Sequence, residues 1–394
     1  MEKIKNLPKS FWILAVIVLV GIFLRIYDFH DGVRFNADQA RDASLVEAVV
    51  NGEESWPLLG PKAGGTDFKL GPIFYEFQIF SAMIFGSFPD KVAYPDLIFA
   101  ILSIPLFYFL LKKYFDGKLA LSLTALYAVS FYAIKYARFA WNPNSTPFWT
   151  MLFLLALLQI PEQQGKKRIF WSILAGVQLH TFLLVVMPLL TIAYFAYLGI
   201  KEKKWLWKNF LFIVLVSLAV NIPQLYNETQ TSGENIKALF AGAEIKKENR
   251  NIFLKIGRTG ECFMTAGTFT VTSLGESDEC RILPAKSIDN AIDLVVGGLL
   301  FLGGLGLGIW RVIKEPSEAK RRFLGLILAY TGLVALFMVP VAFELSLRYF
   351  LILAFLPFIF LGLWLEFLTE KFAKKGFVIS LVIVAVLAGA NLWT

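Results

Sequence analysis

The chain has 394 residues, 57% of them hydrophobic and only 17% charged, with a mean hydropathy of +0.63. Soluble domains run at roughly 45–50% apolar and about 25% charged residues, so a large soluble domain and a disordered chain are both excluded. The net charge of +8 lies in short clusters between apolar runs, not along one basic face, which argues against nucleic-acid binding and for a polytopic helical membrane protein.

The first apolar run, Phe11–Leu24 extending to Phe29, follows Lys3, Lys5 and Lys9. No small-residue cleavage site comes after it, only Arg25-Ile-Tyr-Asp28, so it reads as a retained helix with its N-terminus inside. Further spans are expected at 92–111, 118–137, 147–160, 169–181, 183–199, 206–225, 291–310, 323–343, 347–366 and 377–393. Basic clusters at 112–118, 166–168, 201–208, 311–322 and 371–375, with the N-terminal three, hold 21 of the 38 Lys and Arg. All fall on one side if these runs alternate. Residues 70–86 are also apolar, but they are short and carry Glu76 and Gln78. Crossing there would move every later basic cluster outside, so the segment is expected to lie along the outer interface.

The expected fold is therefore all-α, with eleven transmembrane helices and one outer juxtamembrane helix. The organisation is a 1–225 module with a first outer loop over 30–91, a second outer loop over 226–290, and C-terminal helices over 291–394. Cys262 and Cys280 are the only cysteines and both fall in the second outer loop. In an oxidising space they are expected to be bridged.

The first outer loop is rich in acids. Asp38 is expected to open a helix over Ala40–Val50, with Asp38, Arg41 and Asp42 on one face. An N-capping Asp with a local Asp–Arg pair is the plainer alternative.

Here the sequence resembles the GT-C glycosyltransferases. An Asp lies just past the first span, followed by a short helix ending in Asn51-Gly52. Then come Trp56-Pro57, Lys69-Leu-Gly-Pro72-Ile-Phe-Tyr75 and Phe85-Gly86. The order is similar to that of the protein O-mannosyltransferase and aminoarabinose-transferase group. Arg138-Phe-Ala-Trp141-Asn142-Pro-Asn144, Gly176-Val-Gln-Leu-His180 and Arg348-Tyr349 continue the resemblance. Two positions depart from it. The usual Asp-Glu pair is Asp38-Gln39, and the short outer loop between the spans at 118–137 and 147–160 has Asn142 and Asn144 where many relatives carry an acid.

The resemblance implies a membrane glycosyltransferase, hexosyl or pentosyl, with a polyprenyl-phosphate-linked sugar as donor and a lipid, glycan or protein hydroxyl as acceptor. It implies an inner-membrane enzyme of the cell envelope with its site on the outer face, roofed by the two outer loops. Asp38 is expected to be the general base. Lys69, Arg138 and Arg348 suit the departing phosphate, with His180 and Tyr349 also at the substrate and Arg41, Asp42, Asp67 and Trp141 in support. Asp38 and Asp67 are the only carboxylates at hand for a divalent metal, so no tightly held metal or other cofactor is expected. The rival readings are a lipid-linked-glycan flippase or transporter and a non-catalytic GT-C-like membrane partner. A transporter would want ionisable groups at mid-membrane and repeated halves, neither of which is apparent.

Overall fold

A computed structural model describes residues 8–394 except 65, 178–185, 246–250, 275–279, 281 and 283–286. The first helix, α1 (Lys9–Ile26), is 18 residues long. At 1.5 Å per residue that is about 27 Å, close to the thickness of a hydrocarbon core. Then follow α2 (Ala37–Val50), α3 (Ile73–Phe85), α4 (Tyr94–Leu111), α5 (Gly117–Val129), α6 (Thr146–Gln159) and α7 (Gly165–Val177). After them come α8 (Val186–Ile200), α9 (Trp207–Val220), α10 (Ile222–Gln230), α11 (Glu234–Ile245) and α12 (Ile252–Thr272). The chain finishes with α13 (Asn290–Lys314), α14 (Glu318–Met338) and α15 (Leu356–Trp393).

Every expected span contains a helix. Among the described residues five helices, α1, α4, α13, α14 and α15, are long and apolar enough to cross a membrane alone. A sixth span arises if α9 and α10, bent by 60°, act together. The protein is an integral membrane protein, and several of the eleven expected spans are not single long helices. Several apolar helices are short, such as the 13-residue α5. The expected spans at 347–366 and 377–393 run together as the 38-residue α15. There Ala373, at φ 47°, breaks the helical backbone. Ser380 Oγ donates to Leu365 O at 3.4 Å, so the two halves of α15 fold back on one another. Gly376 allows this, because a Cβ there would lie 2.1 Å from Leu368 O. Segment 70–86 forms α3, whose 13 residues are too few to cross.

The segment expected as a second outer loop is largely helical. Cys262 lies on the buried face of α12, among Thr259, Ala266 and Phe269. Small residues at helical spacing let α12 pack closely into the main core. The expected bridge is corrected in turn: Cys262 and Cys280 are free, buried thiols, and Cys262 Sγ lies 3.9 Å from Cys280 O.

Candidate active site

The site is built from the end of the first span upward. Asn36, not Asp38, caps α2, and its capping box closes with Gln39 Oε1 accepting from Asn36 N at 3.3 Å. This leaves the Asp38 side chain free of the cap and 53% exposed. Arg41 spans the two neighbouring acids, with Nη1 3.1 Å from Asp38 Oδ1 and Nη2 2.8 Å from Asp42 Oδ1. The face-sharing trio of the sequence is present, but its acids differ in setting. Asp42 is only 3% exposed and also accepts from Tyr75 Oη at 2.8 Å. Burial pushes its carboxyl above the usual Asp range, against the opposing pull of Tyr75 and Arg41. Gln39, standing where the resemblance led one to expect a Glu, is buried and donates to Ala140 O at 3.1 Å. It ties α2 to the loop before α6 and does not line the cavity described below.

The next wall is a tight reversal between residues 60 and 71. Gly60 N donates to Leu70 O at 2.7 Å and Leu70 N to Pro61 O at 3.1 Å. A side chain at Gly60 would strike Gly71 O at 2.2 Å, so the two backbones meet only over glycine. Asp67, at the tip of this reversal, is held by Lys62 at 2.7 Å. That bond keeps its exposed carboxyl below the usual range. Asn235 of α11 clamps the reversal from above: Lys69 N donates to its Oδ1 at 2.7 Å and its Nδ2 donates to Lys69 O at 2.9 Å. The second outer segment thus roofs the first through one amide.

The far wall is the 3₁₀ segment Leu347–Leu353. Two buried tyrosines bond its carbonyls, Tyr132 Oη to Leu347 O and Tyr330 Oη to Ile352 O, each at 2.7 Å. Arg348 is exposed, with its guanidinium 5.4 Å from the centre of the Tyr349 ring. Among the described residues it makes no ion pair.

These walls enclose a cavity of about 690 Å³. Asp38, Arg41, Asp67, Trp141, Arg348 and Tyr349 all line it. So do Lys62, Asn142 and Glu344. Among the described residues its lining carries the cations Arg41, Lys62 and Arg348 and the carboxylates Asp38, Asp67 and Glu344. Arg41 and Lys62 are already salt-bridged, which leaves Arg348, among the described residues, as the cation for an incoming anion.

Besides the buried Asp42, two expected residues are absent from the cavity lining. Lys69 is engaged through its backbone with Asn235, and Arg138 donates from Nη2 to Asp28 O at 2.5 Å, pinning the turn after α1. His180 lies outside the described residues. Lys62 was missed; its sequence signal is a Pro61-Lys62 pair beside Gly64 in an acid-rich loop. Among the described residues no three His, Cys, Asp or Glu side chains gather as a metal would require. Asp38 and Asp67 face one cavity, each tied to a cation, and a divalent ion there would have to displace Arg41 and Lys62.

Residues 69–226 match the family model described as dolichyl-phosphate-mannose-protein mannosyltransferase. No curated protein matches the sequence. Among solved structures, ArnT from Cupriavidus metallidurans in the apo state superposes with a TM-score of 0.55 at 14% identity, over 93% of this chain and 61% of that one. The same protein bound to undecaprenyl phosphate gives a TM-score of 0.61 at 17% identity, over 96% and 64%. The chain thus spans less than two thirds of the length of these structures. The likeness that began with Asp38 and Lys69–Tyr75 extends to the whole architecture: the chain has the GT-C fold of ArnT, and its residues 69–226 match the dolichyl-phosphate-mannose-protein mannosyltransferase family.

Proposed function

We propose that the protein is a membrane glycosyltransferase that moves a sugar from a polyprenyl-phosphate carrier to an acceptor hydroxyl at the outer membrane face. The observation that carries this reading is the cavity itself. Residues from four separate stretches of chain, around Asp38, Asp67, Trp141 and Arg348, meet at one space beside apolar helices. That space offers an exposed carboxylate and an unpaired arginine to one ligand. The fold neighbour that binds undecaprenyl phosphate supports a carrier of that chemical class.

The chemistry follows from these groups. Asp38 takes the proton of the acceptor hydroxyl as its oxygen attacks the anomeric carbon. The bond from that carbon to the phosphate oxygen breaks on the opposite face, so the sugar is inverted. The phosphate departs on its lipid as an anion and needs no proton from the protein. Arg348 meets its growing charge with charge-assisted hydrogen bonds. Arg41, fixed by Asp42 and Tyr75, is a positioning residue that orients the Asp38 carboxylate. No step runs through a metal.

The test is turnover by purified protein supplied with a polyprenyl-phosphate-linked sugar. Wild type is expected to release polyprenyl phosphate, and Asp38→Asn to bind the donor but turn it over about 10²- to 10⁴-fold more slowly. Donor binding without turnover by wild type, for any acceptor class, would leave a binding protein and end the enzymatic reading.

A further inference from the structure

Behind the catalytic cavity lies a second, smaller chamber of about 40 Å³. Pro61 and Asn142 line both spaces, so the two adjoin. The chamber is walled by aromatic rings, with Phe77 and Trp149 stacked at 6.0 Å and Phe99 packed 4.7 Å from Trp149. Set into this apolar box are two buried polar side chains, Gln78 of α3 and Asp96 of α4. Gln78 is 1% exposed, and neither Nε2 nor Oε1 has a hydrogen-bond partner in the protein. Asp96 is 3% exposed, and its hydrogen bond is the one accepted at Oδ2 from Trp141 N at 3.1 Å.

Buried amides are nearly always satisfied, and an unpartnered donor and acceptor together cost several times what a normal hydrogen bond contributes. Packing alone does not call for a glutamine here, because a leucine would fill the box without that penalty. The chamber therefore selects a group that both donates and accepts, is small, and carries carbon for the rings to touch. Its volume admits about three waters, or a hydroxymethyl arm with one water, but not a sugar ring.

We infer that the chamber is a subsite for the exocyclic hydroxymethyl arm of a sugar, gripped by Gln78 and Asp96, and that the enzyme thereby selects a hexosyl over a pentosyl unit. This rests on the glycosyltransferase reading and deepens it. The arm can belong to the donor sugar or to a sugar acceptor, since both pass through the adjoining cavity.

The test compares probes that differ only in that arm. Binding of polyprenyl phosphate alone is measured first, and its absence would overturn the underlying reading together with this one. Next come polyprenyl-phosphate mannose and polyprenyl-phosphate lyxose, which lacks only the hydroxymethyl group. A donor-side subsite gives about a tenfold preference for the hexose, the effect of one hydroxyl's hydrogen bonds. Gln78→Leu and Asp96→Asn remove that preference while binding of polyprenyl phosphate stays unchanged. An acceptor-side subsite gives equal donor affinities but the same preference in KM between methyl mannoside and methyl lyxoside acceptors. Equal behaviour in both pairs with wild-type protein means that the chamber holds water only, and overturns the inference whatever the variants do. Polyprenyl phosphate binding that persists in that outcome leaves the glycosyltransferase reading standing.

Discussion

Asp38 and Asp42 stand one helical turn apart, share Arg41, and have opposite tasks. Asp38 is half exposed at the cavity, whereas Asp42 is sealed behind it with Tyr75. Asp38→Asn keeps shape and removes charge, so it should spare stability and slow turnover about 10²- to 10⁴-fold. Asp42→Asn should instead loosen Arg41 and Tyr75, and its effect should depend on pH. The folded-state pKa of Asp42 lies above its unfolded value, so its proton is held more tightly in the folded protein. Its stabilising contribution is then fullest below the unfolded pKa and is lost as pH rises through the folded one. The stability of wild type relative to Asp42→Asn should therefore fall as pH rises upward from the usual Asp range. Melting curves of both proteins in one detergent check this; a difference that grows with pH refutes the burial argument. Arg348 supplies the third residue-scale prediction. As the cavity cation without an ion pair, it should lose about 10- to 100-fold in polyprenyl phosphate affinity as Arg348→Met. Arg138→Met, which touches only the turn at Asp28, should leave that affinity unchanged. Titration of polyprenyl phosphate into both variants separates the two roles.

At the scale of elements, the 3₁₀ segment Leu347–Leu353 explains how an arginine is held at the rim of an apolar bundle. Tightening to 3₁₀ leaves carbonyls that an α-helix would have bonded, and in a lipid environment they need a donor. Tyr132 and Tyr330 provide it from buried positions. Tyr330→Phe removes the hydroxyl and little volume, so it should cost about 1 kcal/mol of stability. It should also weaken polyprenyl phosphate binding, although Tyr330 lies outside the cavity lining. Stability lost with binding intact would show that Arg348 does not depend on this support. The reversal at 60–71 works by a similar economy: glycine at 60 lets the strands meet, and Asn235 fixes the result from the roof.

Across the whole molecule, charge is divided between two ends. Members of three of the basic clusters expected on one side of the membrane form two groups of ion pairs. Arg322 binds Glu202 at 2.8 Å and Glu162 at 3.3 Å, Lys320 binds Glu366 at 2.6 Å, and Lys113 pairs with Glu162. These residues join the α4–α5, α6–α7 and α8–α9 turns to the start of α14, and α14 to α15. The cavity and its small chamber lie toward the opposite ends of α4 and α6, which begin at Tyr94 and Thr146. By the positive-inside rule these ion pairs are expected on the cytoplasmic side. Single cysteines introduced at Gly64 and Lys113 in a background lacking Cys262 and Cys280 test this. Impermeant reagent added to intact cells should label position 64 and spare position 113, and the reverse pattern would invert the orientation.

Much of this was legible in the sequence because the bilayer imposes it locally. Apolar run length and the spacing of Lys and Arg are one-dimensional consequences of a hydrocarbon slab, and they set the helical class and the common side of the basic loops. Asp38, Arg41 and Asp42 were readable for a similar reason, since three residues within one helical turn need no tertiary information to share a face. Other features were decided by contacts between distant parts of the chain. Whether Lys69, Arg138 or Arg348 reaches the cavity depends on which carbonyls and carboxylates surround each one, and that is fixed by packing. The helical burial of Cys262 and the fold-back at Ala373 likewise follow from neighbours remote in sequence. So does the pairing of Gln78 with Asp96 in one chamber. A hydrophobic pattern specifies that a face is buried, but only the assembled bundle specifies against what.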